Sequence, residues 1–331
     1  ATHLLPRSAL PYDPPLTSVF DAFCRDLVDE LDVAALPTTA RVTGLELAAP
    51  LLRPSTVHTD AGTIQARWVV WTANTCTETS LPNRSIGAGD RVVHASQVDL
   101  RGIDSLDGHH IVVVGGGLSA GHLVMGARAL GATVTLVTRR PIVERDFDVD
   151  PGWLGPRSLD GFWRIRTPGR RLARARDARG GGSMPAWMCR RVHAGVDAGW
   201  LTHHIDDIDR SDANSDGAAV QLADGGDLAS DTCWLATGTT PDCRRSVVLA
   251  NAVANHVDGI PVPDADLRIG RTGLFVTGRL ATIELGPAAG NLWGARAAAR
   301  RVSRAITGID LDPEGFTGSA NSPTPRRRGP R

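Results

Sequence analysis

The residues best placed to do chemistry in this chain are Gly115, Gly117, Leu118, Ser119 and Ala120, followed by Thr138, Arg139 and Arg140. Their types suit the holding of a phosphorylated nucleotide rather than the breaking of a bond. Gly115, Gly117 and Ala120 fill a G-x-G-x-x-G/A pattern. The first glycine makes a tight turn, the second admits a pyrophosphate to the backbone, and small Ala120 lets a helix pack close to the preceding strand. The amides of Leu118 and Ser119 then open that helix and present its positive end to an anion. About twenty residues on, an NAD-binding unit carries an acid that accepts bonds from the ribose hydroxyls. Here Thr138 is followed by two arginines instead. A guanidinium fits a phosphate bidentately, so the 2'-phosphate of NADP is the matching group. A turn without ligand and a solvated strand end are the plainer readings of the same residues.

The elements needed to position these groups are legible on either side. Ile111 to Val114 is a continuous apolar run, as expected of a strand buried on both faces. Leu118, Leu123, Val124, Ala127 and Leu130 recur at helical spacing, and Gly131 ends the helix. Ala132 to Val137 is a second strand that delivers Thr138. A glycine pattern alone is weak, but this strand, turn, helix and strand order makes it much stronger.

Composition narrows the class. The chain has 331 residues, 36 acidic and 36 basic, and no lysine, so every cation is arginine. Schiff-base chemistry on lysine is therefore excluded. Zero net charge gives no general support to a nucleic-acid partner; for the basic run from Arg170 to Arg179 a phosphate contact stays open, and a solvated helix face is the plainer account of most of it. Five scattered cysteines form no metal-ligand spacing and argue for a reducing compartment. No apolar run approaches the ~20 residues that span a bilayer. The expectation is a cytoplasmic protein with no membrane or nucleic-acid partner, no metal, and an unknown small-molecule substrate and oligomeric state. Histidines such as His94, His109, His110, His203 and His204 are scattered, and none is assigned to catalysis; no catalytic residue is named.

Two segments align without a gap: Thr59 to Asn74 (TDAGTIQARWVVWTAN) and Ala223 to Gly238 (ADGGDLASDTCWLATG). Each reads as a hairpin with a D-x-G turn leading into a buried strand. The second ends at Gly238, where a ligand can approach the backbone closely, and Asn74 stands at that place in the first. If the repeat is real, the first copy's glycine turn falls before residue 1. The chain is then expected to begin inside its first dinucleotide domain.

The motifs GGGLSA (Gly115 to Ala120), WLATG (Trp234 to Gly238) and GLFVTGR (Gly273 to Arg279) occur in this order, with VVHASQVDLR (Val92 to Arg101) before the glycine turn. In that layout the chain resembles flavoprotein oxidoreductases in which an NADPH domain is inserted into an FAD domain. Flavin-containing monooxygenases, lysine and ornithine N-hydroxylases and thioredoxin-reductase-like enzymes belong to that group. The resemblance runs over roughly residues 16 to 307, and of its motifs only the glycine-rich one is specific alone. It implies an α/β fold, a Rossmann-like NADP domain inserted into an incomplete FAD/NAD(P)-binding domain. The expected division is 1–107 partial FAD-type domain, 108–240 NADP domain, 241–312 return to the FAD-type domain, and 313–331 disordered tail.

The same resemblance implies NADPH and FAD as cofactors, with hydride passing from NADPH to flavin and Gly238, Gly278, Gly286 and Pro287 on the flavin side. Gly286-Pro287 is expected to open a helix from about Ala288 to Ile306, with Leu292 among its inward residues; an anion site and a plain capping turn are both open there. Two departures stand out. No N-terminal G-x-G-x-x-G holds the ADP half of FAD, and Arg279 follows Gly278 where the family often has an aspartate. The expected function is an NADPH-dependent oxidoreductase of monooxygenase type that does not retain stoichiometric FAD in this chain. The alternative is a non-catalytic NADP-binding module or a subunit beside a flavin-bearing partner. Three further expectations concern architecture. Leu274 to Thr277 reads as a short buried strand. The Phe147 to Arg157 loop covers the ligand, with Trp153 more simply pinning it to the core than stacking on a ring. A helix introduced by Pro14-Pro15 turns Val19, Phe20, Phe23, Leu27, Val28 and Leu31 inward.

Overall fold

The computed structural model describes residues 17–49, 53–73, 77–79, 91–213 and 217–309. Helix α1 (Thr17–Glu30) precedes an antiparallel group, β1 (Val42–Glu46), β2 (Ser55–Thr59) and β3 (Gly62–Ala66), and the short strands β4 (Val69–Trp71) and β5 (Thr77–Thr79). Next come β6 (Val92–His94), β7 (His110–Val114), α2 (Leu118–Ala129) and β8 (Thr133–Thr138). Three helices follow, α3 (Pro156–Arg164), α4 (Pro168–Arg179) and α5 (Ala186–Asp197), and then β9 (Leu201–Ile205). A second antiparallel group, β10 (Ile208–Ala213), β11 (Ala218–Leu222) and β12 (Asp227–Ser230), leads into β13 (Thr232–Leu235). The chain closes with β14 (Thr239–Pro241), the hairpin β15 (His256–Val257) and β16 (Ile260–Pro261), β17 (Leu274–Val276), α6 (Thr282–Leu285) and α7 (Leu292–Thr307).

The centre is a five-stranded parallel sheet in the order β6-β13-β7-β8-β9. The apolar run of β7 explains its place in the middle: Ile111 to Val114 alternate between two cores. Ile111 and Val113 pack with Leu123, Val124 and Ala127 of α2 and with Met188 and Val192 of α5. Val112 and Val114 pack with Val220 and Leu222 of the β10–β12 group. A strand covered on both faces reads as a near-continuous apolar run, as Ile111 to Val114 does. Strand β6 reaches this sheet from upstream of residue 108. Cys233 is fully buried in β13, and burial pushes its thiol up to about 12.

The repeat is real at the level of structure. The order β2, turn, β3, β4 is matched by β11, turn, β12, β13, with each antiparallel group separate from the strand that follows it. Strand β4 then pairs in parallel with β17, whereas β13 enters the central sheet between β6 and β7. The two copies therefore lie in different sheets, as the sequence leads one to expect. Asn74 lies outside the described residues, as do Pro14-Pro15 and the 313–331 tail.

Three expectations are corrected. Helix α1 forms, but Phe23 and Leu31, expected inward, are 58% and 60% exposed; its period makes a helix, and none of the described elements covers its apolar face. Leu118 opens α2 with its side chain exposed rather than in the core. The C-terminal helix begins at Leu292, not near Ala288, because Asn291 caps it by accepting from Gly294 N at 3.0 Å, a better cap than Ala or Pro. Leu292 itself is exposed. Gly286 instead ends α6 with φ +78. The loop expectation for Trp153 holds in its plainer form: the ring is buried, edge-on to Phe162 at 5.8 Å.

Past β14, Asp242 caps a short 3-10 turn and is buried. Its carboxylate accepts from Arg244 N, Nε and Nη2 at 2.9, 2.8 and 2.7 Å, and hydrogen bonding from Arg244 holds its pKa below the usual carboxylate range. A carboxyl with a depressed folded pKa stabilises the fold above its unfolded value, about pH 4, and loses that contribution as pH falls through the folded value. Asp242→Asn should therefore lower the thermal midpoint at pH 7, with the difference from the unmodified chain shrinking as the pH is taken below about 4. A gap unchanged down to pH 2 contradicts this account.

Candidate functional site

A cleft of about 690 Å³ opens at the carboxyl ends of β7, β8 and β13, where open α/β sheets bind ligands. Gly115 makes the turn out of β7 with φ +139, and a Cβ there would stand 2.3 Å from the carbonyl oxygen of Ala236. No side chain fits that contact, so the glycine is required by the approach of the β13 strand end. Gly117 caps α2 in an extended conformation. The first intrahelical bond runs from Gly121 N to Gly117 O, which leaves the amides of Leu118, Ser119 and Ala120 free of partners within the helix. Leu118 and Ser119 line the cleft, while Ala120 is fully buried under the helix and serves packing.

The structure separates the roles of Thr138, Arg139 and Arg140, all of which line the cleft. Thr138 is buried and its Oγ1 bonds His203 Nε2 at 2.8 Å. Arg140 Nη2 donates to the carbonyls of Gly180 and Gly182 at 2.7 and 3.3 Å, clamping the loop between α4 and α5. Arg139 is exposed and carries no hydrogen bond or ion pair to the described residues. The clamped loop, Gly180-Gly181-Gly182, approaches Gly117 so closely that a Cβ on Gly182 would meet Gly117 N at 2.9 Å.

Sequence reasoning missed that loop as a wall of the site, although three consecutive glycines between two helical runs were a usable signal. It also missed Asp206 and Asp207, which the fold brings to the cleft together with Asp148 of the Phe147 to Arg157 loop, Arg179 of the basic run and Arg279. Asp206 accepts from Asp207 N and Asp224 N at 2.7 and 3.1 Å, and Asp207 from Ile208 N at 2.9 Å. Backbone amides thus occupy both carboxylates.

Of the four residues expected on the flavin side, the structure brings one to this cleft. Gly238 lines it with φ +82 and open space where a Cβ would be, its carbonyl held 3.1 Å from His94 Nε2. Gly278 faces a separate groove of about 430 Å³ between β4, β17 and α7. Gly286 and Pro287 are buried, Gly286 next to Leu159 and Phe162; they are packing residues and do not open a helix onto a ligand. Among the described residues no group of three His, Cys, Asp or Glu side chains is placed to hold a metal.

No protein-family model matches the sequence, and no curated protein matches it. Solved structures do match. The ornithine N-hydroxylase of Kutzneria sp. 744, solved with reduced FAD, NADP+ and L-ornithine, is 18% identical with a TM-score of 0.66 over 88% of this chain and 77% of that one. The chain has the fold of the flavoprotein oxidoreductases with two dinucleotide-binding domains. The cadaverine monooxygenase of the desferrioxamine pathway from Erwinia amylovora, bound to FAD, is 15% identical with a TM-score of 0.65 over 91% and 80%. The bacillithiol disulfide reductase of Staphylococcus aureus is 13% identical with a TM-score of 0.54 over 88% and 81%.

Within this flavoprotein fold the described residues fit one dinucleotide and not the other. The glycine turn, the free α2 amides and Arg139 suit NADP. Beside β4 and β17 no described residues form a second G-x-G-x-x-G turn; the glycine that follows β17, Gly278 with φ +59, opens only a 3-10 turn and the four-residue α6. Arg279 crosses from Gly278 to Thr239, donating through Nη1 to Thr239 Oγ1 at 2.7 Å and through Nη2 to the Thr239 carbonyl. Its stem lies so close to Gly290 that a Cβ there would stand 2.6 Å from Arg279 Cγ. The described residues therefore hold no cradle for the pyrophosphate of FAD, and a guanidinium lies where the family often offers an acid.

Proposed function

We propose that this chain is an NADPH-dependent oxidoreductase of the flavoprotein monooxygenase type whose nucleotide-binding half is complete among the described residues and whose flavin half is not. The observation that carries the reading is the cleft itself: helix amides at Leu118 to Ala120, an uncommitted Arg139 beside the ribose-reading strand end, and a glycine loop clamped over both. Bound NADPH supplies a hydride at its nicotinamide ring. The chain's own residues bind and orient the nucleotide. The α2 amides take the pyrophosphate, Arg139 takes the 2'-phosphate, and the loop held by Arg140 limits access of water from above. In this reading adenosine lies toward β8 and Arg139, and nicotinamide toward β13 and Gly238.

A second reading, an NADP-binding module that works beside a flavin-bearing partner, is favoured by Arg279 and by the missing second glycine turn among the described residues. Flavin absorbance of the purified chain tests the incomplete flavin half on which both readings rest. We expect a colourless protein that binds NADPH and consumes little of it in air. Flavin near one per chain, or saturable FAD binding at micromolar concentration, overturns that expectation and favours the self-sufficient enzyme.

A further inference from the structure

The wall of the cleft nearest β13 carries charge that the nucleotide does not use. Arg279 is half-buried there and pairs with no carboxylate among the described residues; its guanidinium bonds only Thr239. Burial, and after it the charge of Arg179, loosens its hold on its proton. Arg179 lines the same cleft, donating to the carbonyl of Pro287 at 3.1 Å and to the largely exposed carboxylate of Asp148 at 3.2 Å. Two guanidiniums that repel each other, one of them desolvated without a counter-ion, form an unfavourable arrangement unless an anion joins them. A second, independent sign stands beside them. Thr237 Oγ1, also in the cleft wall, is buried with no hydrogen-bond partner, which costs stability unless a ligand meets it. Gly238, next in the chain, has open space where a Cβ would stand.

The nucleotide does not supply that anion. Its pyrophosphate belongs at the α2 amides, after β7, and its 2'-phosphate at Arg139, after β8, and its nicotinamide end carries no further phosphate. We propose that Arg179 and Arg279, with the hydroxyl of Thr237, form an oxyanion site that holds a carboxylate or phosphate group of a second ligand beside the nicotinamide. Charge-assisted bonds from guanidinium to either group are of the strong kind. The site thus selects an acidic small molecule as the companion of NADPH. The proposal rests on the nucleotide reading above for the positions of the nicotinamide and of the nucleotide's own phosphates.

The test is calorimetric titration of the full chain, saturated with NADPH and at constant ionic strength, with inorganic phosphate and separately with succinate. Saturable binding of at least one is expected, and the tighter of the two identifies phosphate or carboxylate as the group preferred. Arg279→Gln, which keeps a donor for Thr239, should weaken that binding about fivefold or more while leaving NADPH affinity within about twofold. Arg179→Gln, at a partly exposed position of α4, should do the same and covers the case in which the Arg279 variant folds poorly. Binding of neither anion, or equal binding to the unmodified chain and both variants, overturns the proposal. So does a tenfold loss of NADPH affinity in Arg279→Gln, which would assign the guanidinium to the nucleotide's own phosphates. If NADPH itself fails to bind, the nucleotide reading falls separately. Phosphate titration of the free chain then still reads this site, supporting it if Arg279→Gln weakens binding and overturning it if only Arg139→Gln does.

Discussion

Titrated with both nucleotides, the chain binds NADPH at least about tenfold more tightly than NADH. The expectation rests on Arg139, exposed and uncommitted at the end of β8, where the ribose-reading residue of such units stands. A hydrogen bond to a charged group contributes roughly 1.5–3 kcal/mol, so even one retained contact to the 2'-phosphate gives a tenfold preference or more. Arg139→Asp should remove the preference or reverse it. Arg140→Asp should act differently, weakening both nucleotides, because Arg140 holds the Gly180–Gly182 loop rather than the ligand. Gly117→Val should abolish binding of both: even a bare Cβ would stand 3.3 Å from Gly182 Cα, and the branched side chain fills the path of the pyrophosphate. Equal affinity for NADPH and NADH in the unmodified chain would sink the assignment of Arg139.

Glu284→Ala should destabilise the fold by roughly 3–5 kcal/mol, the usual effect of stranding a buried charge. Glu284 lies in α6 with its side chain 15% exposed, in contact with Arg171 of α4 at 16% and with Arg301 of α7 at 3.9 Å. Burial pushes the Glu284 carboxyl above its usual range, although both guanidiniums pull it back. The network is therefore not a large net gain over apolar packing, yet removing the acid leaves two cations buried together. Arg171 also donates to the carbonyls of Ile165 and Trp163 at 2.7 and 3.0 Å, and Trp163 Nε1 donates to the Glu284 carbonyl at 2.9 Å. Denaturant unfolding reads the loss directly. Replacing Arg171, Glu284 and Arg301 together by apolar residues of similar size should recover most of it, and a triple variant as unstable as Glu284→Ala contradicts this account. The effect extends to the site, because α4 runs from this network to Arg179 and the Gly180–Gly182 loop. Weaker NADPH binding should accompany the loss of stability.

The nucleotide half of the protein was legible in the amino-acid order because its signals are local. A strand buried on both faces needs an unbroken apolar run, a turn that abuts Ala236 needs glycine at 115, and a helix that ends at Leu130 needs Gly131. Each of these leaves its mark within a few consecutive residues, although the contacts that require it, such as Ala236 against Gly115, come from far along the chain. The duplication was legible for the same reason, since a hairpin and the strand after it are a contiguous unit. Helix α1 marks the limit of such reasoning: its apolar period predicts the helix and says nothing of what lies against it. The start of α7 marks another, where two plausible openings, Gly286-Pro287 and Asn291, compete and the stronger side-chain cap decides.

What the chain alone determined, then, is one dinucleotide cradle, its arginines and its place in a duplicated α/β layout. Only the tertiary structure decided which arginine is left uncommitted, because Arg139 and Arg140 are adjacent in sequence and differ in what folds back to meet them. It also decided the outer wall of the cleft, where Asp148, Arg179, Asp206, Thr237 and Arg279 converge from separate elements. Such convergence depends on long-range packing of helices and sheets, which leaves no periodic trace in the local order of residues.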